Sequence, residues 1–290
     1  MTEISKPIFL MGSGRSGTTV LFHHLSSHPD VCWFSNYSNH LHMIPIMPVT
    51  QRFLKAGASG GRLAGDSQSN KDRKFSVRPA EGKKLYKKAG FPSDRKYTED
   101  DYDPAAEARL KKIIERHIFW SGKPRFITKD TANVQRARLL NEMFPDALYI
   151  HLIRDGRAVT NSMINKGWLP VLDLWWTGDK AIDHVHEYED PVELMGLHWK
   201  YNVEETFRLG EMVGPRYSEV RYEDLTSDVQ GVMAKVMEFL ELDVEPSWLK
   251  ELPEKLPDMN DKWRTDLTER QTELLHNQIG DLLTRLNYKI

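Results

Sequence analysis

Near the start of the sequence, three glycines, an arginine and four hydroxyl residues stand close together in Gly12-Ser-Gly14-Arg15-Ser16-Gly17-Thr18-Thr19. What such a set can do is hold an anion. The glycines let backbone approach a phosphate, a helix starting at Thr18 points free N–H groups at it, and Arg15 adds positive charge. Two familiar loops compete for the stretch. Gly12-x-Gly14-x-x-Gly17 satisfies the dinucleotide pattern, which is weak alone and wants an acidic residue about twenty positions on. That neighbourhood reads Trp33-Phe34-Ser35-Asn36, with Asp30 too early. The triphosphate loop matches at Gly12, Gly17 and Thr19, but Thr18 stands in place of its lysine. The loop is therefore a phosphate cradle altered away from the magnesium–triphosphate role, with its positive charge moved to Arg15.

These residues need elements to place them, and the pattern supplies a parallel sheet. Ile8 to Met11 is an apolar run of buried-strand length, and Thr18 to Ser27 reads as a helix with Val20, Leu21, His24 and Leu25 near one face. Arg125 to Asp130 and Ala147 to Arg154 are strand-length runs with a helix between them at about 133–144, the order of a parallel unit. Polar groups gather where the strands stop: Lys129 and Asp130 on one, Arg154 and Asp155 on the other. Ligands of open parallel sheets bind beyond the carboxyl ends of strands, the same kind of end at which the Gly12 loop lies. A long helix at about 191–212, a strand at 217–222 and a helical stripe from Val229 to Leu240 follow. The last helix starts at Thr268, with Gln271 placed to complete a capping box and Leu275, Ile279, Leu282 and Leu286 on its buried face. A polar loop, Asp258 to Arg264, separates these two helices. The predicted fold is α/β, a parallel sheet flanked by helices, in one domain spanning 1–290.

Composition bounds the function. A chain of 290 residues with a net charge of −2 gives no sign of bulk nucleic-acid binding. A single cysteine, Cys32, excludes an intrachain disulfide framework and fits a reducing, cytoplasmic setting. No cationic-then-apolar leader or membrane-length apolar run is expected. From Arg52 to Lys88, eleven Lys or Arg face three Asp or Glu, with Gly57, Gly60, Gly61 and Gly65 and little apolar periodicity. This window opens a predicted insertion at about 52–103, read either as a solvated, partly mobile segment or as a basic lid over an anionic ligand. Ala105 to Trp120 then reads as a helix.

Gly-Arg-Ser-Gly-Thr-Thr after a strand resembles the 5′-phosphosulfate loop of sulfotransferases that use 3′-phosphoadenosine 5′-phosphosulfate (PAPS), a P-loop-like nucleotide-binding fold. The resemblance implies that Gly14, Arg15, Ser16, Gly17, Thr18 and Thr19 bind that phosphosulfate. Leu152-Ile-Arg-Asp-Gly-Arg-Ala-Val-Thr-Asn-Ser162 resembles the 3′-phosphate segment of the same enzymes, with Arg154 and Ser162 eight residues apart. A helix starting at Gly156 brings Ser162 back toward a group held by Arg154, whose fork suits a phosphate. The other reading of Arg154 and Asp155 is a structural ion pair. Three further matches follow the family order. Lys129, fifteen residues before Phe144-Pro-Asp-Ala147, corresponds to a sulfonate-contacting lysine. Tyr222, in Arg221-Tyr-Glu-Asp-Leu225, corresponds to a tyrosine near adenine. Lys262, Trp263 and Arg264 resemble a late basic loop that closes over the 3′-phosphate.

The implied reaction is sulfuryl transfer from PAPS, leaving 3′-phosphoadenosine 5′-phosphate (PAP), to a hydroxyl or amine of a small-molecule, lipid or glycan acceptor, without a metal. Arg15 and Lys129 are the expected charge stabilisers. The general base departs from the pattern of relatives, because Thr131, Ser35, Asn36 and Thr128 occupy the positions where they carry a histidine or glutamate. Glu81, in Arg78-Pro-Ala-Glu-Gly82, is the leading candidate, followed by His40 and His42. His23, His24, His151 and His198 fall in helix or strand patterns and read as structural. The alternatives are a P-loop phosphotransferase and a nucleotide-binding protein that has lost the chemistry.

Overall fold

The computed structural model describes residues 3–41, 44, 46–53, 77–93 and 95–290. Five strands form one parallel sheet in the order β2-β3-β1-β4-β7: β1 (Ile8–Met11), β2 (Val31–Trp33), β3 (Arg125–Lys129), β4 (Leu148–Ile153) and β7 (Tyr217–Arg221). A small antiparallel hairpin, β5 (Asp173–Leu174) and β6 (Asp179–Lys180), stands apart from it. The central strand shows why the chain folds this way. Successive side chains of a strand point to opposite faces, so an unbroken apolar run suits a sheet covered on both. Phe9 and Met11 join one core cluster, with Leu110, Phe126 and Tyr149, and Ile8 and Leu10 join another, with Leu21, Ile127 and Met233. All four are buried, and each large side chain so buried contributes about 1.5–3 kcal/mol.

Helix Pro104–Ser121 covers the first face, and helices Thr18–Ser26 and Val229–Phe239 cover the second. A third cluster joins helix Gly156–Asn165 to helices Pro191–Val213 and Glu269–Arg285 through Val159, Trp199 and Ile279. Thr268 and Gln271 cap the last helix reciprocally, as their spacing predicts. The helix expected at about 133–144 is shorter, Ala137–Met143. Asp130 accepts from the Ala132 amide and starts a separate turn, and Arg136 Nη1 ties Asp130 to Asn133 across the break. Among the described residues, no helix is long and apolar enough to cross a membrane.

Most of the glycine-rich basic stretch, residues 54–76, lies outside the described residues, and so does His42. The rest of the 52–103 window corrects the solvated reading. Ala80 N–H donates to the Phe34 carbonyl and Asn36 N–H to that of Arg78, which extends β2 by a short antiparallel bridge between Ser35 and Pro79. Helix Lys83–Ala89 then buries Leu85, Tyr86 and Ala89, and Phe91 and Tyr97 enter the same core. One apolar turn among four lysines leaves too short a period to be seen in sequence.

Candidate active site

Strands β1 and β4 are paired in register, Met11 beside His151, so the segments that leave them emerge side by side. The Gly12 loop and Arg154 therefore meet although 139 residues separate Arg15 from Arg154. Arg154 Nη1 donates to the Arg15 carbonyl at 3.0 Å, its Nε to Asn260 Oδ1 at 3.0 Å and its Nη2 to the Met259 carbonyl at 2.8 Å. Its guanidinium lies over the Tyr222 ring, 4.1 Å from the centroid. Arg15 Nε donates to Ser162 Oγ at 3.0 Å. Glycine is required where the loop meets aromatic walls: a Cβ on Gly14 would sit 2.6 Å from the Trp168 ring, and one on Gly17 2.7 Å from that of Tyr222. Arg15 itself holds a left-handed backbone, φ 70°, a strain of about 1–3 kcal/mol for a non-glycine residue.

Helix Thr18–Ser26 begins at this loop with no side-chain cap and no acidic residue in its first turn. The amides of Gly17, Thr18 and Thr19 make no backbone hydrogen bond among the described residues. Such an end carries partial positive charge and unsatisfied donors. Ser16 is buried beside it, its amide on the Ser13 carbonyl. Arg154 is only 7% exposed, yet among the described residues it has no carboxylate within ion-pair distance. The alternative ion pair does not form, because Asp155 is taken by Arg157, which grips both its oxygens at 2.7–3.2 Å. Burial and then the charge of Arg154 depress the pKa of Arg15. Two cations thus share a partly desolvated corner in which no carboxylate of the described residues lies within ion-pair distance of either.

A second grouping stands at the end of β3. Lys129 Nζ donates to Glu81 Oε1 at 2.5 Å and to Thr19 Oγ1 at 3.3 Å, and Lys83 Nζ lies 3.1 Å from Glu81 Oε2. The bridge of 78–80 to the end of β2 brings Glu81 here. Burial opposes ionisation of Glu81, but the charges of Lys129 and Lys83 outweigh it and hold the carboxyl below its usual range. His40 is exposed, with Nδ1 donating to the Asn36 carbonyl at 2.8 Å within its own helix. His23, which the pattern assigns to structure, lies close enough to Lys129 and Arg78 that their charges add to burial in lowering its pKa.

Between the groupings opens a cavity of about 190 Å³ lined by Gly14, Lys83, Thr131, Trp168, His198 and Asn202, among others. Burial pushes His198 down to about 4, so it is neutral at pH 7. Asn202 Nδ2 donates to the His198 carbonyl at 2.6 Å, one turn back. Sequence reasoning missed this wall. Trp168 comes from the loop after helix Gly156–Asn165, His198 and Asn202 come from helix Pro191–Val213, and no local spacing ties them to the Gly12 loop.

The late loop behaves differently from its predicted outline. Lys262 and Arg264 are exposed, and Arg264 pairs with Asp261 at 2.8 Å. Trp263 is buried between the guanidiniums of Arg157 and Arg264, 4.4 and 4.6 Å from its ring. The loop reaches Arg154 through Met259 and Asn260. Glu223 fixes that contact, accepting from Asn260 Nδ2 at 2.6 Å and from the Tyr288 hydroxyl at 3.1 Å.

Residues 7–246 match the model of a family described as the sulfotransferase family. An omega-hydroxy-beta-dihydromenaquinone-9 sulfotransferase of Mycobacterium bovis is 27% identical over 185 residues, 60% of this chain and 44% of that protein. Protein-tyrosine sulfotransferase 1 of Homo sapiens is 29% identical over 160 residues, 55% of this chain and 34% of that protein. The chain thus spans less than half the length of these curated relatives. In fold it resembles the crystal structure of a sulfotransferase of Mycobacterium avium, with a TM-score of 0.64, 17% identity, and coverage of 99% of this chain and 78% of that one. A sulfotransferase domain of the curacin biosynthetic pathway gives a TM-score of 0.53 at 16% identity, covering 99% of each chain.

Proposed function

The chain belongs to the sulfotransferase family, and on that premise we propose that it transfers a sulfuryl group from PAPS to a hydroxyl or amine of an acceptor, as one domain. The observation that carries this reading is the buried, acid-free guanidinium of Arg154 beside Arg15 and an uncapped helix end. A buried cation without an anionic partner is costly, and a donor with phosphates at two positions would supply the missing charge. Arg154 and Ser162 fit the 3′-phosphate, with Lys262 and Arg264 closing over it and Trp263 holding their loop against helix Gly156–Asn165. Gly14 to Thr19 fit the 5′-phosphosulfate, and Tyr222, packed against Gly17, serves as a wall for adenine.

In the transfer, the acceptor oxygen bonds to sulfur as the bond from sulfur to the donor's phosphate oxygen breaks. Arg15, Lys129 and the helix amides hold the charge that stays on that phosphate oxygen. Glu81 takes the acceptor's proton: it is ionised, it touches the lysine aimed at the sulfuryl group, and Lys83 links it to the cavity. The cavity is the proposed acceptor site. Its volume exceeds the roughly 150 Å³ of a cavity that takes benzene, so it admits one ring or the hydroxyl end of a longer lipid or glycan. The reduced, buried Cys32 is consistent with a cytoplasmic protein. Calorimetric titration with PAP, adenosine 5′-phosphate and Mg-ATP, followed by transfer from labelled PAPS to a hydroxyl panel, tests the proposal. Tight binding of PAP alone is expected; preference for Mg-ATP would point to a phosphotransferase, and PAP binding without transfer to a non-catalytic role.

A further inference from the structure

Helix Lys83–Ala89 borders two cavities. Lys83 lines the one assigned to the acceptor, whereas Leu85 and Lys88 line another of about 200 Å³. This second cavity has Leu85, Ile113 and Ile44 as apolar wall, and Lys88, Arg109, Lys112 and Arg116 around it, with no acidic side chain among the lining residues. Arg109 is partly engaged, its Nε on the Ala89 carbonyl and its Nη2 3.4 Å from Asp103. Lys112 and Arg116 have no ion-pair partner among the described residues. His117, also a lining residue, is only 4% exposed; its Nδ1 donates to the Ile113 carbonyl at 2.7 Å, which leaves Nε2 buried without a partner. Burial pushes its pKa down to about 4, so at pH 7 Nε2 is a neutral acceptor. An unsatisfied buried acceptor is uncommon and costly.

We propose that this cavity is a second binding site, for a small amphipathic anion with an aryl or short-alkyl body and a carboxylate or sulfate at one end. The anionic group sits between Lys112 and Arg116, and the body lies against Leu85 and Ile113, with His117 closing the inner end. The volume fits one ring with a short chain, since a cavity of about 150 Å³ already takes benzene. The same chemistry is found in a free metabolite and in an anionic lipid headgroup, and the experiment distinguishes the two.

The test is calorimetric titration of the full chain with 3-(4-hydroxyphenyl)propanoate, its neutral amide, and phosphatidylglycerol vesicles. The acid is expected to bind, and the amide to bind at least about tenfold more weakly, as loss of a charge-assisted hydrogen bond requires. Lys112→Ala and Arg116→Ala, both at the cavity lip, should each weaken the acid about tenfold and leave PAP affinity unchanged. Val171 also lines the acceptor cavity, so Val171→Trp, which narrows that cavity, should leave this binding intact. Overturning results are equal affinity for acid and amide, binding abolished by Val171→Trp but not by the lip variants, or binding to vesicles with none to the soluble acid. None of these readouts depends on transfer, so the proposal stands or falls separately from the sulfotransferase reading.

Discussion

The two charged ends of the site differ in how their cations are balanced. At the carboxyl end of β4, Arg154 and Arg15 face each other's neighbourhood with only carbonyls, an amide and a hydroxyl as partners. At the end of β3, Lys129 and Lys83 share one carboxylate, Glu81. The first end lacks a negative charge and is built to receive one. The second is already paired, so a group arriving there exchanges partners with a lysine rather than supplying one. In the proposed transfer, that contrast separates binding from chemistry within a single crevice: the arginines are assigned affinity for the donor nucleotide, and the lysine–glutamate pair is assigned proton transfer.

The largest test of the division is Glu81→Gln. Turnover is expected to fall roughly 10²–10⁴-fold, the usual contribution of a general base, while calorimetric PAP affinity holds or rises. A parallel loss of PAP affinity would merge the two ends, and near-normal turnover would move the base to His23 or His40. Next comes Arg154→Ala, which should weaken PAP about ten- to a hundredfold, the worth of a charge-assisted hydrogen bond, and adenosine 5′-phosphate far less. If both nucleotides weakened equally, Arg154 would not read the 3′-phosphate. A smaller shift follows from Lys83→Ala. Glu81 works as a base only when ionised, so turnover falls as pH drops through its folded pKa. Removing one of the charges that depress that pKa should move the acid limb of the pH–turnover profile to higher pH. A shift to lower pH would contradict the pairing. Smallest is a comparison of Arg15→Gly with Arg15→Ala. Both lose the guanidinium and should lose transfer alike, but glycine relieves the left-handed backbone, worth about 1–2 kcal/mol. Its thermal midpoint should therefore lie about 2–8 °C above that of the alanine variant, at about 2–4 °C per kcal/mol for a chain of this order.

What sequence reveals here is what local spacing encodes. The strand, turn and helix around Gly12, the strand ending at Arg154 and the Thr268–Gln271 cap each depend on neighbours within a few positions, and each folds as its pattern predicts. Proximity of the two arginines was also legible, because strand ends of a parallel sheet converge. Partners were not. Ser162, spaced to serve a ligand of Arg154, is held by Arg15 in the structure, and Asp155 turns to Arg157 rather than Arg154. Asn260 and Met259, in a loop read only for its basic residues, are what touch Arg154. His23 passed as a packing residue because one turn of helix gives no sign of the lysine that approaches from β3. Asp155 apart, whose partner is two residues away, each of these partners is decided by tertiary contact over a hundred residues or more, which no periodicity records.

If the proposed transfer holds, Trp168 sets a limit on how this protein can diversify. Its ring fills the space a side chain at position 14 would need, and it lines the cavity assigned to the acceptor. Selection for a new acceptor that acts through position 168 is therefore felt in the donor loop as well, and gain on one side carries a loss on the other. Val171 and Asn202 line the same cavity without touching the loop glycine, so they can vary while the donor loop stays as it is. A lineage broadening its substrates would drift at those two positions first and keep its tryptophan.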